Sequence, residues 1–155
     1  MPPLVAICVI SNIDAFILIN KAPRGKAIDR TQYRYLDKVH VDIGFGDTTS
    51  IGGYWYVLVF IDRTTRYNLT CRLKTLTSSD IIEVFNLFYA KAGGFAKMFR
   101  TDCDEKLFGQ AVRTHLTLQN SDVTHAPAGR QSSDGLAESH WKTMVHMSRA
   151  FLTEK

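Results

Sequence analysis

The chain has 155 residues, of which 45% are apolar and 22% charged, and its formal net charge is +4. This composition is that of a globular protein and excludes disordered, collagen-like and other fibrous chains. The length favours one domain that buries its own core without metal or disulfides. The mild positive charge permits a polyanionic partner without requiring one.

The cysteines and histidines bear on disulfides and zinc. Cys8, Cys71 and Cys103 form no C-x-x-C pair, and the five histidines show no H-x-x-x-H spacing. This pattern argues against a disulfide framework and against a structural zinc site. It favours a reducing compartment.

Residues 1–35 are predicted to be a poorly ordered leader and linker ahead of a domain at residues 36–155. The stretch Leu4–Ile19 is apolar but interrupted by polar residues, so it is too short and too polar to span a membrane. It lacks a basic start, which disfavours a signal peptide. Lys21–Arg30 is basic and contains Pro and Gly, a composition typical of a linker.

The next residues predict three consecutive strands. Leu36–Phe45 alternates apolar and polar residues, the period of a strand with one buried face. Tyr54–Asp62 is continuously apolar and β-prone, which predicts a central strand buried on both faces. Tyr67–Leu73 predicts a third strand. Because the connections are short, the three strands are expected to form an antiparallel meander.

The pattern then changes to alternating helices and strands. Apolar residues spaced as one helical face follow Asp80, the predicted N-cap, and Gly93-Gly94 ends that helix. The remaining predicted elements are a strand at Phe95–Thr101, a helix at Asp104–Leu118, a strand at Asp122–Ala126, a loop at Ala126–Gly135 and a last helix from Leu136 to about Thr153. This order predicts an α/β protein with a mixed five-stranded sheet flanked by helices, and it matches the ribonuclease H-like fold.

Three acidic residues fall where this architecture would bring them together. Asp42 lies mid-strand opposite the apolar face, Asp102 ends the fourth strand, and Glu138 starts the last helix with 35 residues between it and Asp102. Converging carboxylates repel one another unless divalent cations neutralise them, and their oxygens suit Mg²⁺ or Mn²⁺. Taken singly, each acid is more typical of a solvated strand residue, a cap or an exposed helical face.

With these acids in place, residues from about Leu36 to Lys155 resemble the catalytic core of retroviral-type integrases, specifically those of copia-type LTR retrotransposons. The D, D-35-E pattern of that family of DDE polynucleotidyl transferases falls on Asp42, Asp102 and Glu138. The segments that carry the resemblance are V-H-V-D-I-G at Val39–Gly44, Y-V-L-V-F-I-D-R-T-T-R at Tyr56–Arg66, F-R-T-D at Phe99–Asp102 and D-G-L-A-E-S-H-W-K at Asp134–Lys142.

The resemblance implies a polynucleotidyl transferase that uses two Mg²⁺ or Mn²⁺ ions. By that resemblance Asp42 would bridge both metals, while Asp102 and Glu138 would each hold one. The implied reactions are trimming of the element's DNA ends and joining of those ends to target DNA. The resemblance also implies a homodimer in the nucleus or a retrotransposon particle, with no membrane partner and no small-molecule cofactor.

Cationic and polar side chains near the third acid are the candidate DNA contacts. Lys142 lies one helical turn after that acid on the same face, and His146 and Arg149 continue that side. The resemblance favours Lys142, which matches a DNA-contacting lysine of the family. It also favours Arg130 and Gln131, which lie in a loop that approaches DNA. A solvated helix face and an exposed loop are the alternatives.

Two further residues are given structural roles. Asp62 matches an aspartate of the family and is predicted to cap the turn after the central strand instead of binding metal. Trp141 is predicted to lie in the core instead of stacking on a base.

The chain departs from the family pattern around the acids. Asp102 is followed by Cys103-Asp104-Glu105 instead of Asn-Gly, which makes Asp104 a rival and adds negative charge near the metals. Asp134 replaces a neutral amide of the family's loop. The family's zinc-binding N-terminal and DNA-binding C-terminal domains are not found in this sequence, so we expect an isolated core.

Three hypotheses follow. The leading one is an integrase catalytic core with metal-dependent DNA strand-transfer activity. The second is a catalytically decayed remnant that binds DNA or self-associates. The third is a nuclease of the ribonuclease H type, which would cleave an RNA–DNA hybrid without joining strands.

Overall fold

The structure is a computed structural model that describes residues 6–10, 13–17, 33–45, 52–101, 107–125 and 142, with only the backbone described for the first two ranges. It contains seven strands and two helices within those ranges. They are β1 (Ala6–Ile10), β2 (Ile13–Ile17), β3 (Lys38–Phe45), β4 (Tyr56–Asp62), β5 (Asn68–Leu73), α1 (Ser78–Ala92), β6 (Met98–Thr101), α2 (Gln110–Leu118) and β7 (Asp122–His125).

All seven strands belong to one mixed sheet in the order β1-β2-β5-β4-β3-β6-β7. Strands β3, β4 and β5 pair antiparallel, as expected for strands joined by short connections. Strand β6 returns after α1 to pair parallel with β3, and β7 returns after α2 to pair parallel with β6. The predicted mixed five-stranded sheet flanked by helices is confirmed in β3 to β7.

The N-terminal segment adds two strands that the sequence did not predict. Strands β1 and β2 pair antiparallel, with Cys8 opposite Ala15, and β2 then pairs antiparallel with β5. Residues 6–10 and 13–17, which lie within the predicted leader and linker at residues 1–35, therefore extend the sheet. The two strands are separated by two residues, the shortest usual hairpin connection. Neither strand alternates polar and apolar residues, and the apolar run that contains β1 was interpreted as part of a leader.

One face of the sheet packs against α1 to form the core. Side chains of a strand alternate between the two faces, so Val41 of β3 and its partner Phe60 of β4 point to the same side. Phe60 stacks on Phe88 with ring centroids 4.9 Å apart, and it contacts Phe85 edge-on at 5.2 Å. Phe99 of β6 contacts all three rings. This face is closed by aromatic packing in which every ring is buried.

Helix α1 begins one turn earlier than the sequence predicted. Its N-cap is Thr77, whose hydroxyl accepts a bond from Asp80 N–H at 3.1 Å. Asp80, the predicted cap, is instead the third helical residue, and its carboxylate accepts bonds from Thr77 N–H and the Thr75 hydroxyl. This reciprocal capping box satisfies donors that the first turn leaves open. Gly93 ends the helix in the left-handed conformation at φ 81°, as predicted.

The helix predicted at Asp104–Leu118 is interrupted, because Leu107 is helical, Phe108 and Gly109 are not, and α2 begins at Gln110. Residues Gln110–Leu118 are helical after an N-cap at Gly109, and residues 102–106 lie outside the described part of the chain. The buried residues of α2 are Val112 and Leu116, which are one turn apart. Ala111 and Leu118 are also apolar but are exposed. They lie on the other side of the helix from the Val112–Leu116 stripe.

Several predicted segments fall outside the described residues. They include the loop at Ala126–Gly135 and nearly all of the last helix, of which the structure describes only Lys142, a helical and exposed residue. Among the helices that the structure describes, none has the length and apolar character needed to cross a bilayer.

Candidate active site

Asp42 lies near the middle of β3, on the sheet face opposite α1. It stands between Val41 and Ile43, whose side chains are buried on the core face. Across the ladder Asp42 is opposite Val59 of β4, which in turn pairs with Thr70 of β5. Its Oδ1 accepts a bond from the Ile43 N–H at 2.8 Å. The half-buried carboxylate is therefore oriented by the backbone of its own strand.

The face that carries Asp42 is rich in polar groups, unlike the core face. His40 precedes Asp42 by two residues on the same side of β3 and is fully buried. Its partner in the parallel ladder is Arg100 of β6, which pairs in turn with Thr124 of β7. Val59 and Ile61 add two buried apolar residues to this face. The other polar members, which lie on β5, are Asn68, Thr70 and Arg72.

Most of the predicted site residues lie outside the described part of the chain. Of these residues, Asp42 and Lys142 are described. Their assignments, like those of the others, stay predictions. The residues outside the described ranges are Asp102 and Glu138 of the acidic set and Arg130, Gln131, His146 and Arg149 of the DNA-contact set, together with Trp141, Asp104 and Asp134.

The described residues contribute one carboxylate to a possible cation site. Within the ranges that the structure describes, no group of three or more His, Cys, Asp or Glu side chains is close enough to hold a metal ion. The half-buried Asp42 carboxylate is a hard oxygen ligand of the kind that Mg²⁺ and Mn²⁺ prefer. It fits such an ion only if further acids join it, and the sequence offers Asp102 and Glu138.

Asp62 holds together a turn, as the sequence predicted. Its carboxylate is fully buried at the end of β4. Oδ2 accepts bonds from Thr64 N–H at 3.1 Å, Thr65 N–H at 2.7 Å and the Thr65 hydroxyl at 2.8 Å. Oδ1 accepts from the Leu36 N–H at 3.0 Å, which ties the β4–β5 turn to the segment before β3. All of these donors belong to the turn and its neighbour, so Asp62 acts as a structural cap.

Sequence reasoning missed an aromatic and basic cluster at the ends of β4 and β5. The Arg72 guanidinium lies over the Tyr54 ring at 4.7 Å from the centroid, and the Lys74 ammonium lies at 5.3 Å. Trp55 follows Tyr54 in sequence, and nearly half of its surface is exposed. The signal in the sequence was weak, because Tyr54 and the two cations are some 20 residues apart and only strand pairing brings them together.

Comparisons with known proteins place the fold. No protein-family model and no curated protein sequence matches the chain. Among solved structures, the fold is similar to the catalytic core domain of the HTLV-2 integrase, described as the dimeric form in complex with magnesium. The TM-score is 0.61 at 15% sequence identity, and the match covers 76% of this chain and 73% of the integrase core.

At this level of identity the similarity establishes architecture and leaves activity open. The shared architecture is the mixed sheet of β3 to β7, with helices following β5 and β6. The chain therefore has the ribonuclease H-like fold of a retroviral integrase catalytic core.

Proposed function

We propose that this chain is an integrase catalytic core of a copia-type LTR retrotransposon, which trims DNA 3′ ends and joins them to target DNA in a metal-dependent reaction. The observation that carries the proposal is the position of Asp42. In a fold shared with an integrase core, it lies mid-strand on the polar face of β3, beside the parallel strand β6. The sequence motifs around Asp42, Asp102 and Glu138 supply the further support.

The register between β3 and β6 supports a partnership of Asp42 with Asp102. His40 pairs with Arg100 in this parallel ladder. Counting two residues further leads to Asp42 on one strand and to Asp102 in the sequence that follows the other. The ladder that the structure describes ends at the pair of His40 with Arg100, and a shared divalent cation between the two carboxylates is part of the proposal.

The proposed site needs no protein nucleophile. Asp42, Asp102 and Glu138 would hold two Mg²⁺ or Mn²⁺ ions, which when bound supply stabilisation of the attacking and leaving oxygens. The Ile43 N–H donates to one carboxylate oxygen of Asp42 and orients the carboxylate without a bound ion. The buried His40 and the neighbouring Arg100 line the same face next to Asp42.

The DNA contacts and the assembly belong to the same proposal. Lys142 is helical and exposed, as a residue that binds a phosphate would be. Arg130, Gln131, His146 and Arg149 are proposed to contact DNA beside it. A homodimer in the nucleus or a retrotransposon particle is proposed from the family resemblance. The related HTLV-2 core is described as dimeric.

A branched oligonucleotide that mimics the strand-transfer product tests the proposal. The purified chain with Mn²⁺ should release the joined strand, and Asp42→Asn should lower that rate by about 100-fold or more. The matched control is Asp122→Asn, which neutralises an exposed aspartate of β7 in the same sheet and should retain the rate.

The three hypotheses give different results in this assay. If the wild type and Asp42→Asn behave alike, the enzymatic proposal is wrong and the remnant hypothesis stands. If the chain cleaves an RNA–DNA hybrid and never joins or releases a DNA strand, the ribonuclease H-type hypothesis replaces it. Loss of activity in both Asp42→Asn and Asp122→Asn would show a general effect of charge and not a site at Asp42.

A further inference from the structure

We propose that Tyr54, Trp55, Arg72 and Lys74 form a binding surface for a DNA strand on the sheet face that carries Asp42. These four residues are called the aromatic–basic patch. The inference rests on the proposed function for the identity of its ligand, because a nucleic-acid strand entering the site at Asp42 would continue across this surface.

The patch is a preassembled group of cations and rings. Arg72 and Lys74 both lie over the Tyr54 ring, at 4.7 and 5.3 Å from its centroid. Tyr54 is itself backed by Gly52, where an added Cβ would come within 3.0 Å of the ring. Gly52 has φ +97°, a conformation that favours glycine. A side chain there would be disfavoured both by this backbone conformation and by the nearby ring. Glycine at position 52 therefore leaves room for the ring that carries the cations.

Trp55 gives the patch an exposed aromatic surface. Its N–H donates to the Leu73 carbonyl at 3.1 Å, which extends the β4–β5 ladder by one residue and fixes the backbone of Trp55. Even so, 45% of its surface is exposed to solvent. A large ring that is exposed on a rigid strand end, with cations beside it, is the arrangement on which bases of a nucleic-acid strand stack.

The register of the sheet places the patch on the side of Asp42. Asp42 aligns with Val59 and Thr70, and the next residues on that face are Val57 and Arg72. Arg72 is thus two strands away and two residues further along, roughly 12 Å from Asp42 at ordinary strand spacings. Leu73 points to the opposite face, where it is buried in the core. The patch and Asp42 therefore share one surface.

The charge and the spacing select DNA as the occupant. A distance of roughly 12 Å corresponds to about three or four nucleotides of a B-form strand. The exposed Lys74 supplies positive charge for its phosphates, and Trp55 supplies a surface for an unpaired base near the reacting end. An acidic or apolar peptide would use the cations or the ring alone, whereas a DNA strand uses both.

Fluorescence anisotropy with labelled oligonucleotides tests the patch without catalysis. The full chain is titrated in EDTA against a mixed-sequence duplex that has a short single-stranded 3′ overhang. Trp55→Ala should weaken the Kd by about ten-fold, the order expected for one lost base stack, and Trp55→Phe should restore most of it. Lys74→Ala should weaken binding two- to five-fold at low salt and reduce the salt slope by about one.

Two matched controls lie on α1, which packs on the other face of the sheet. Lys91→Ala removes an exposed lysine and Tyr89→Ala removes an aromatic residue that is 50% exposed. Both should bind the oligonucleotide like the wild type. Circular dichroism of each variant checks that it is folded. The patch is supported if Trp55→Ala and Lys74→Ala fall below their controls.

The proposal is overturned if the wild type does not bind the oligonucleotide, or if Trp55→Ala and Lys74→Ala bind it as tightly as Tyr89→Ala and Lys91→Ala. It is also overturned if the folded wild type binds only an RNA–DNA hybrid. Failure here is distinct from failure of the proposed function. Asp42→Asn can abolish strand release while the patch variants bind normally, and the patch can bind DNA in a chain that releases no strand.

Discussion

The two faces of the central sheet are built from different kinds of residue. The face that meets α1 is apolar, with Phe60, Phe85, Phe88 and Phe99 in mutual contact and buried. The other face carries the half-buried Asp42 and a row of polar side chains from β3, β5 and β6. Successive residues of a strand point to opposite faces of the sheet. Each residue packed in the core is therefore followed by a residue on the polar face.

This contrast separates the residues that stabilise the fold from those proposed to act on DNA. The aromatic face buries large side chains and has no polar partners to satisfy, so it contributes most of the stability. The polar face holds groups whose charges are costly to bury unless they are bonded or bind ions. Substitutions on the first face should therefore change the free energy of unfolding, and those on the second should change binding and activity.

The largest loss of stability is expected at the centre of the aromatic face. Phe60→Ala removes a ring that contacts three others and should lower the free energy of unfolding by about 3–5 kcal/mol. Phe45→Ala, which removes a ring that is 46% exposed on the same sheet, should cost less than about 1 kcal/mol. Urea unfolding followed by circular dichroism measures both. Equal losses would show that the aromatic face is not the centre of stability.

The next largest effect is expected at Asp62, a polar group that serves structure. Asp62→Ala leaves buried turn donors without an acceptor and should cost about 3 kcal/mol. Asp62→Asn should cost less, because its amide retains one acceptor oxygen. The control Asp122→Ala changes an exposed strand aspartate and should stay within about 0.5 kcal/mol. If Asp62→Ala matched this control in urea unfolding, the turn would not depend on the carboxylate.

A smaller, pH-dependent effect is expected at Cys71 on the apolar face. Burial raises the pKa of its thiol from 9.0 to about 12. The unfolded chain therefore loses this proton above pH 9 while the folded chain retains it, so stability is full below pH 9 and falls between pH 9 and 12. The expected loss is about 1 kcal/mol for each pH unit.

Comparison with Cys71→Ala isolates the thiol. Burial also raises the pKa values of Tyr35 and Tyr67, but these tyrosines are present in both proteins and cancel in the difference. The unfolding free energy of the wild type relative to Cys71→Ala should decline from pH 9 to 10.5. A difference that is constant over this range would show that the thiol is accessible to solvent.

Short sequence patterns predicted the strands and the helix whose residues carry a clear periodicity or cap. Alternation in β3, the apolar run of β4 and the helical spacing before Gly93 each led to an element that the structure contains. The predicted N-cap of α1 was wrong because Thr77 and Asp80 are both suitable N-cap residues ahead of the apolar helical pattern. The hydroxyl bonds of Thr75 and Thr77 decide between them. Strand β2 was missed because its partner, β5, lies about 55 residues away in sequence.

The candidate site was less predictable from local patterns. Asp42 was placed on the polar face by alternation alone, which the structure confirms. Its neighbours depend on the parallel pairing of β3 with β6, two strands joined by a helical crossover. A short stretch of sequence does not predict this pairing. The roles of Asp102 and Glu138 came from a family resemblance and stay predictions. The contact of Tyr54 with Arg72 and Lys74 needed the folded sheet to be seen.

The central claim is that the polar face holds a divalent-cation site at Asp42. Crystals grown with Mn²⁺ and measured at an energy where manganese scatters anomalously test this directly. We predict an anomalous peak in direct coordination with an Asp42 carboxylate oxygen, with Asp102 and Glu138 as the other ligands, and loss of that peak in Asp42→Asn. A wild-type map with no peak at Asp42, or an unchanged peak in Asp42→Asn, would contradict it.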